Sequence, residues 1–344
     1  MRAIRYHGPG DLRLEEVPQP APEAGGLLVK VQACAICGTD LKMCRKGDPR
    51  VPVGQTIGHE FVATVVEVGK GAAGYAVGQR VTLATSISCG RCAHCRRGFS
   101  NRCEALTPIS RTYPGAFADY LAIPAVAVAG GNVVTVPDSL GDLAALAEPL
   151  SCVINAQGLA GVGLGDTVVV IGFGPLGALH VQAARARGAT RLLVVQRSAA
   201  RRELARQFDV AAVIDPLATD PVAEVLRLTE GCGADVAIAC APDPAAQRQA
   251  FAMVRKGGSV NLFAGLPAGE SVIPLDTRLV HYRELSVSGG SDSTPHHVQL
   301  AVSLLAAGWI SEATVTHRLP LEGFAQGLAL MGESRGLKIL LTPE

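Results

Sequence analysis

Four cysteines lie close together in the segment CGRCAHCRRGFSNRC, namely Cys89, Cys92, Cys95 and Cys103. Their C-x2-C-x2-C-x7-C spacing lets a tight loop turn the sulfur atoms toward one point, as tetrahedral Zn²⁺ requires with thiolates about 2.3 Å away. An iron–sulfur cluster fits less well, because the usual bacterial run ends in x3 spacing followed by proline. Buried unligated cysteines are the other alternative. Since four thiolates leave no open position on the ion, the spacing predicts a structural zinc site.

A glycine motif follows an apolar run in the segment VVVIGFGPLG, residues 168–177. It contains Gly172, Gly174 and Gly177, with Pro175 and Leu176 before the last glycine. The first glycine permits a tight turn, the second admits a pyrophosphate, and the third lets helix and strand pack closely. A simple helix cap in a nucleotide-free domain is the alternative. The position between a β-branched strand and a helix favours a dinucleotide site, with phosphates at the helix N-terminus.

Three other residues with metal-binding side chains are far apart in the sequence. They are Cys37 in CAICGTD, His59 in IGHEF and Glu148 in LAEPLSC. A single cysteine or histidine is usually a core residue, and a single glutamate is usually solvated. Residue chemistry alone therefore does not assign these three to a metal.

The elements that must position these residues change character near residue 145. Before it, short apolar runs separated by Gly and Pro, such as 27–31, 61–68 and 80–83, predict a β-rich part. After it, the predicted strands are 167–171, 191–196, 212–214, 235–240 and 259–263, and the predicted helices are 175–188, 199–208, 221–228 and 244–254. This alternation predicts a parallel sheet covered by helices on both faces. From about residue 285 the pattern is mixed again, with a helix predicted at 295–307, so an α/β domain is inserted in a β-rich one.

Composition excludes several classes of protein. At 344 residues the chain is long enough for two domains, and 48% hydrophobic residues exclude general disorder. The balance of 31 Lys+Arg against 30 Asp+Glu, with 4% aromatic residues, argues against a nucleic-acid partner. The start of the chain does not resemble a secretory leader, and apolar runs are too short for a membrane span. We therefore expect a cytoplasmic protein without a membrane partner.

Several motifs together resemble those of zinc-dependent medium-chain alcohol dehydrogenases. CGTD at 37–40, GHEFVATVVEVG at 58–69, the four-cysteine segment and the glycine motif occur in the order of that family, and the resemblance covers essentially the whole chain. The segment AEPL, with Glu148 where other members have cysteine, is most similar to the polyol branch of sorbitol and threonine dehydrogenases. The resemblance implies an α/β fold: a Rossmann-type doubly wound parallel sheet domain (148–285) inserted in a β-rich GroES-like catalytic domain (1–147 and 286–344).

The same resemblance implies roles for individual residues. Cys37, His59 and Glu148 would hold a catalytic zinc, and Glu60 would be either a direct ligand or a neighbour of the ligands. Thr39 matches the hydroxyl that takes the proton of the alcohol. With the cysteine cluster, two zinc ions are expected per chain.

Other positions concern the surroundings of that site. Asp40 matches the residue that orients the ligand histidine. Ala63 replaces a glycine that is usual in the family, and Lys42 replaces a histidine that relays protons in some relatives. Gly38 stands where some relatives have an arginine for the pyrophosphate, so Lys338 in GLKILL is expected to take over that contact.

The residues at the end of the second strand of the α/β domain indicate whether the coenzyme is NAD(H) or NADP(H). A carboxylate for the ribose 2′-hydroxyl is expected about 20 residues after the glycine motif. In the family register Gln196 occupies that position, followed by Arg197 and Ser198, with Arg201 and Arg202 in the next helix. Without the carboxylate, a guanidinium could bind a 2′-phosphate through paired charge-assisted hydrogen bonds. Arginines that simply face solvent would leave the glutamine unexplained, so we predict NADP(H) over NAD(H).

These inferences predict a zinc-dependent NADP(H) oxidoreductase that interconverts a ketone and a secondary alcohol such as a polyol, sugar alcohol or cyclitol-like compound. The alternatives are an NAD-dependent polyol or threonine-type dehydrogenase, a zinc-free enone reductase, and a non-catalytic nucleotide-binding redox sensor. Candidate ligands for two zinc sites count against the reductase, and the retained reactive residues count against the sensor. The resemblance also implies a small-molecule substrate and a homodimer or homotetramer.

Overall fold

The computed structural model describes residues 1–267 and 269–343. Its strands are β1 (Arg2–Gly8), β2 (Asp11–Glu16), β3 (Leu27–Ala35), β4 (Gln55–Thr56), β5 (Glu60–Val68), β6 (Arg80–Leu83), β7 (Ser86–Ile87), β8 (Thr107–Pro108), β9 (Tyr120–Ile123), β10 (Val133–Thr135), β11 (Thr167–Ile171), β12 (Arg191–Val195), β13 (Ala212–Ile214), β14 (Ala234–Ala239), β15 (Val254–Leu262), β16 (Ser286–Gly289), β17 (Val315–Pro320) and β18 (Lys338–Thr342). Its α-helices are α1 (Gly38–Lys46), α2 (Ala93–Arg96), α3 (Ala125–Ala129), α4 (Ala147–Ala160), α5 (Pro175–Ala186), α6 (Ala199–Ala205), α7 (Pro221–Leu228), α8 (Pro244–Met253), α9 (Thr277–Tyr282), α10 (Pro295–Ala306) and α11 (Phe324–Gly332).

The middle of the chain forms a parallel sheet in the order β13-β12-β11-β14-β15-β16. Successive residues of β11 enter two different apolar clusters, Val168 and Val170 in one and Val169 and Ile171 in the other. Because helices cover both faces, both sets of side chains are buried, which explains why the strands are continuously apolar. The predicted doubly wound α/β domain is confirmed.

The β-rich part is built from the two ends of the chain. Its larger sheet has the order β10-β6-β5-β3-β18-β17, with β9 also paired to β3. The C-terminal strand joins it through antiparallel pairs such as Leu340 with Ala35. The aromatic rings of Phe117 and Phe324, from opposite ends of the chain, lie 5.2 Å apart between centroids in its core. The insertion of one domain into the other is thus confirmed.

The boundary between the two domains differs from the expectation. Strand β16 pairs in parallel with β15 from Ser286 to Gly289, beyond the boundary predicted at residue 285. Helix α10 follows it and packs on α4, with Val298 and Leu150 in one apolar cluster. The boundary was placed too early because β16 is an edge strand of sequence SVSG, mostly exposed, without the apolar run that marked the other strands.

A helical stretch, Asp138–Ala160, is long and apolar enough to cross a membrane, with a mean hydropathy of 1.2. Asp138, Asp142 and Glu148 interrupt this stretch, so it is not the continuous apolar run that a membrane span was expected to need. Of the 18-residue window with that hydropathy, 78% is buried inside the protein, as in the core helix of a folded domain. Its second part is α4, which begins just before Glu148.

Candidate active site

Cys37 is positioned by the start of α1. It is the N-cap residue of that helix, and its Sγ accepts a hydrogen bond from the backbone N–H of Thr39 at 3.5 Å. The carboxylate of Asp40 accepts one from the backbone N–H of Cys37 at 2.9 Å. The CGTD segment is therefore a reciprocal capping arrangement that holds the sulfur of Cys37 at the N-terminus of α1.

His59 and Glu60 reach the same place through strand pairing. Glu60 begins β5 and is the register partner of Ala35 at the end of β3, two residues before Cys37. Ligand atoms of Cys37, His59 and Glu60 all lie within 4.8 Å of one another. Oδ1 of Asp40 lies 3.8 Å from Nδ1 of His59, and this buried oxygen has no hydrogen-bond partner among the described residues. A charged carboxylate next to the ring favours an imidazole whose Nδ1 carries a proton and whose other nitrogen is free for a metal.

Glu148 lies at the start of α4 and lines one cavity of about 310 Å³ with Cys37, Thr39 and His59. The hydroxyl of Thr85 donates to its Oε1 at 3.4 Å. Burial raises the pKa of Glu148 to about 7, with His59 opposing this rise and Glu60 adding to it. A divalent cation in the cavity would favour the ionised carboxylate instead. Glu148 lines the cavity but does not belong to the group of ligand atoms within 4.8 Å of one another, which comes from Cys37, His59 and Glu60. The thiol, imidazole and carboxylate of that group are a donor set that fits zinc with an open position.

Lys338 is buried beside this site. Its Nζ forms an ion pair with Oε2 of Glu60, and both side chains are almost completely enclosed. The resemblance predicts a contact between Lys338 and a pyrophosphate. In the structure Lys338 instead forms an ion pair with Glu60. Strand β18 lies beside β3, and this pairing places Lys338 next to the candidate metal ligands.

The four clustered cysteines form a separate group. Ligand atoms of Cys89, Cys92, Cys95 and Cys103 lie within 4.8 Å of one another, and all four are free thiols. Sγ of Cys92 and Sγ of Cys95 are 3.5 Å apart, close to the separation of about 3.8 Å for thiolates on one zinc ion. Backbone N–H groups of Cys95 and Glu104 lower the pKa of Cys92 to about 6. The group therefore fits the predicted structural zinc.

The glycine motif has the geometry that a phosphate site needs. Gly172 has a φ of 101°, and a Cβ at this position would lie 2.9 Å from the backbone nitrogen of Ala241. A Cβ on Gly177 would lie 2.1 Å from the carbonyl oxygen of Gly172. Pro175 takes the first turn of α5, where its missing N–H is not needed. Leu176, in the same turn, lines the cavity that contains Cys37, so the nucleotide motif adjoins the candidate metal site.

The residues after β12 separate into different roles. Gln196 is buried, and its side-chain oxygen accepts from the backbone N–H of Ser198 at 3.0 Å, while Ser198 caps α6. Arg197 is exposed. Arg202 is occupied by Asp215, 2.7 Å from its Nη2.

Arg201 lies against the glycine motif. Its Nη1 is 3.4 Å from the position of a Cβ on Gly174, and its Nε is buried without a hydrogen-bond partner among the described residues. Burial lowers the pKa of this guanidinium. A half-buried guanidinium whose Nε has no partner among the described residues, beside a phosphate-binding turn, is suited to an anionic ligand.

Sequence reasoning missed several residues of the cavity wall. Ser110, Arg111 and Asp292 line it, and Ser110 and Asp292 have positive φ values of 72° and 61°. Phe263 lines it as well. A left-handed backbone conformation of a serine or an aspartate cannot be recognised from the spacing of residues in the sequence. The one local signal was the GGS segment before Asp292, which is typical of an irregular backbone.

Comparison with known proteins shows the family to which this chain belongs. The family profile "Alcohol dehydrogenase GroES-like domain" matches residues 23–138, and "Zinc-binding dehydrogenase" matches residues 175–307. An L-threonine 3-dehydrogenase of Caldanaerobacter subterraneus subsp. tengcongensis is 32% identical over 98% of this chain and 97% of that protein. A sorbitol dehydrogenase of Halalkalibacterium halodurans is 31% identical over 98% and 97%.

Among solved structures, a zinc-binding dehydrogenase of Sinorhizobium meliloti bound to NADP superposes with a TM-score of 0.91. It is 32% identical, and the match covers 99% of both chains. The capped cysteine, the histidine at the start of a paired strand, the buried glutamate and the glycine turn thus occur in a chain whose relatives are dehydrogenases over their whole length. This chain belongs to the zinc-dependent medium-chain alcohol dehydrogenase family, in the polyol branch that includes threonine and sorbitol dehydrogenases.

Proposed function

We propose that this enzyme interconverts a secondary alcohol and a ketone with NADP(H) as its coenzyme. The proposed substrate is a polyol, a sugar alcohol or a cyclitol-like compound, and each chain would carry one catalytic and one structural zinc ion. The observation that carries the proposal is the shared cavity, since Cys37, His59, Glu148 and Thr39 line it together with Leu176 of the glycine-motif helix. A reacting carbon could therefore meet a metal site and a coenzyme at once.

Oxidation of such an alcohol removes a proton from its oxygen and a hydride from its carbon. When bound, zinc would supply the Lewis acidity that favours loss of the proton, and the nicotinamide would accept the hydride. Cys37, His59 and Glu148 would hold the metal, while Asp40 orients the histidine ring. Thr39 Oγ would receive the proton of the alcohol, as its place in the cavity wall allows.

Two features support NADP(H) over NAD(H). Gln196 stands where a ribose-binding carboxylate is expected, so a 2′-phosphate would meet no like charge there. Arg197 is exposed beside it, and Arg201, near the glycine motif, has a guanidinium Nε with no partner in the part of the chain that the structure describes. The S. meliloti relative was solved with NADP.

An NAD-dependent threonine-type enzyme is the second candidate. The observation in its favour is the L-threonine 3-dehydrogenase whose sequence aligns with nearly the whole of this chain. It differs from the first candidate in its coenzyme preference and in a preference for an amino alcohol over polyols.

A coenzyme assay with a zinc analysis tests the proposal. We expect a higher kcat/KM with NADP⁺ than with NAD⁺ on a panel of polyols and threonine. Arg197→Ala should weaken NADP⁺ binding by about 10-fold or more, since a charge-assisted hydrogen bond is lost, with little effect on NAD⁺. Arg206→Ala, an exposed arginine after α6 that pairs with Glu203, is the matched control.

Zinc analysis should find two ions per wild-type chain and one in Cys37→Ser. A preference for NAD⁺ would contradict the coenzyme assignment, and one zinc in fully loaded wild type would contradict the two sites. Oligomeric state by light scattering tests the homodimer or homotetramer, which stays a prediction, as does the cytoplasmic location.

A further inference from the structure

Arg111 is a cation in the wall of the catalytic cavity. The proposed transfer of a hydride and a proton does not involve this side chain. Its Nε lies 3.3 Å from Oδ2 of Asp48, and its side chain is 28% exposed. A guanidinium has five N–H donors in a planar fork, and this contact uses one of them. The remaining donors belong to a side chain that lines the cavity and is partly exposed to solvent.

The loop that carries Arg111 is firmly held. Ser110 has a φ of 72°, and its buried Oγ accepts a hydrogen bond from the backbone N–H of Gly58 at 3.1 Å. Gln55 Nε2 donates to the carbonyl oxygen of Arg111 at 3.0 Å. An unfavourable φ persists where surrounding contacts determine it, and such sites cluster around ligands. Because Gly58 precedes His59, these contacts fix Arg111 relative to the candidate metal ligands.

The charges around Arg111 leave it partly unneutralised. Asp48 also pairs with Arg50, at 2.7 Å, so one carboxylate serves two guanidinium groups and the cluster keeps a net charge of about +1. On the other side of the site, Glu60 is already paired with Lys338. Asp292 is a further carboxylate in the cavity wall; burial raises its pKa, and contacts with Ser86 and Ser293 and the charges of His59 and Arg111 oppose that rise. Among the described residues it forms no ion pair with Arg111, and it accepts a hydrogen bond from the backbone N–H of Ser293 at 2.7 Å. Arg111 is thus a cavity cation with spare donors.

We infer that Arg111 binds an anionic group of the substrate, a carboxylate or a phosphate. This inference rests on the proposed alcohol oxidation and narrows its substrate class to secondary alcohols that carry such a group. The planar fork suits either anion, because both offer two oxygen atoms at matching separation. Arg111 therefore sets which alcohols are accepted, while the metal ligands and Thr39 act on the reacting carbon and its oxygen.

Matched pairs of alcohols test the inference with the zinc-loaded enzyme. The pairs are 3-hydroxybutyrate with 1,3-butanediol, and sorbitol 6-phosphate with sorbitol, which differ in one anionic group. Wild type should prefer the charged member of at least one pair by about 10-fold or more in kcat/KM, and the preferred pair tells carboxylate from phosphate. Arg111→Gln should abolish the preference, and Arg111→Lys should keep part of it.

Arg50→Gln is the control, because Arg50 shares Asp48, is 67% exposed and does not line the cavity. This variant should keep the wild-type preference. Equal turnover of charged and neutral alcohols by wild type, or a preference that survives Arg111→Gln, would overturn the assignment of Arg111 while alcohol oxidation stands.

A binding measurement separates this inference from the proposed function. If none of the four alcohols is oxidised with either coenzyme, the proposed substrate class is wrong. Calorimetric titration of the zinc- and NADPH-loaded enzyme with 3-hydroxybutyrate and sorbitol 6-phosphate then tests whether Arg111 binds an anion. Binding that is lost in Arg111→Gln and kept in Arg50→Gln supports it. Absence of binding to wild type at millimolar concentration, or equal affinity in all three proteins, rejects it.

Discussion

At the scale of single residues, the backbone and the side chain of Thr39 have different roles. Its backbone N–H contacts Cys37 Sγ, whereas its side chain lines the cavity, where the proposed mechanism has the hydroxyl take the proton of the alcohol. Thr39→Val keeps the backbone contact and the shape, so zinc content should be unchanged. We expect kcat to fall by about 10²- to 10⁴-fold, the usual contribution of a positioned proton acceptor. Steady-state kinetics measures this change. The control Thr39→Ser keeps a hydroxyl and should have most of the wild-type activity. A wild-type kcat in Thr39→Val would show that the hydroxyl does not accept the proton.

The buried ion pair between Lys338 and Glu60 gives a second prediction at this scale. Lys338→Met removes the cation and leaves a carboxylate enclosed without its partner. Breaking such a pair destabilises a protein by about 3–5 kcal/mol. Urea unfolding of the zinc-loaded enzyme should show this loss.

The double variant Lys338→Met with Glu60→Gln is the control for that experiment. It should recover much of the free energy of unfolding, since a neutral amide replaces the uncompensated charge. Equal stability of the single variant and wild type would mean that the pair does not stabilise the fold.

At the scale of elements, the packing of α5 on β11 depends on Gly177. A methyl group there would lie 2.1 Å from the carbonyl oxygen of Gly172, so helix and turn would have to separate. Gly177→Ala should lower both the free energy of unfolding, by about 1–3 kcal/mol or more, and the affinity for the coenzyme. Thermal unfolding and coenzyme titration measure the two effects. Gly163→Ala is the control, because its nearest contact would be 3.8 Å away; equal behaviour of both variants would contradict the close approach.

The elements of the α/β domain could be predicted where local signals mark both ends. Strand β11 and helix α7 have the predicted bounds, and α7 has Asp220 as its N-cap with Pro221 after it. Strand β15 was predicted from 259 but begins at Val254, because it pairs with β14 across a register shift. That extension depends on a neighbouring strand, so the segment itself carries no sign of it.

At the scale of the whole molecule, one apolar cluster joins the two domains. It contains Leu150 and Leu179 from the nucleotide domain and Val62 and Leu340 from the catalytic domain. We expect Leu150→Ala to lower the free energy of unfolding by about 2–5 kcal/mol, since it opens a cavity in that shared core. Because both domains lose contacts, unfolding should remain a single transition.

Circular dichroism and the fluorescence of Trp309 during urea unfolding measure this prediction. Leu159→Ala, in the same helix but 41% exposed, is the matched control and should change stability little. Two separate transitions in the Leu150 variant would contradict the shared core.

The amino-acid sequence by itself determined the features that depend on short spacing. These are the four-cysteine cluster, the glycine turn between strand and helix, and the alternation that builds a parallel sheet, because each is set by residues a few positions apart. Only the tertiary structure decided the rest. Strand register joins Lys338 to Glu60 across 278 positions, and the loop at Ser110 turns Arg111 into the cavity. Such contacts follow from how sheets and domains meet, and no local pattern records them.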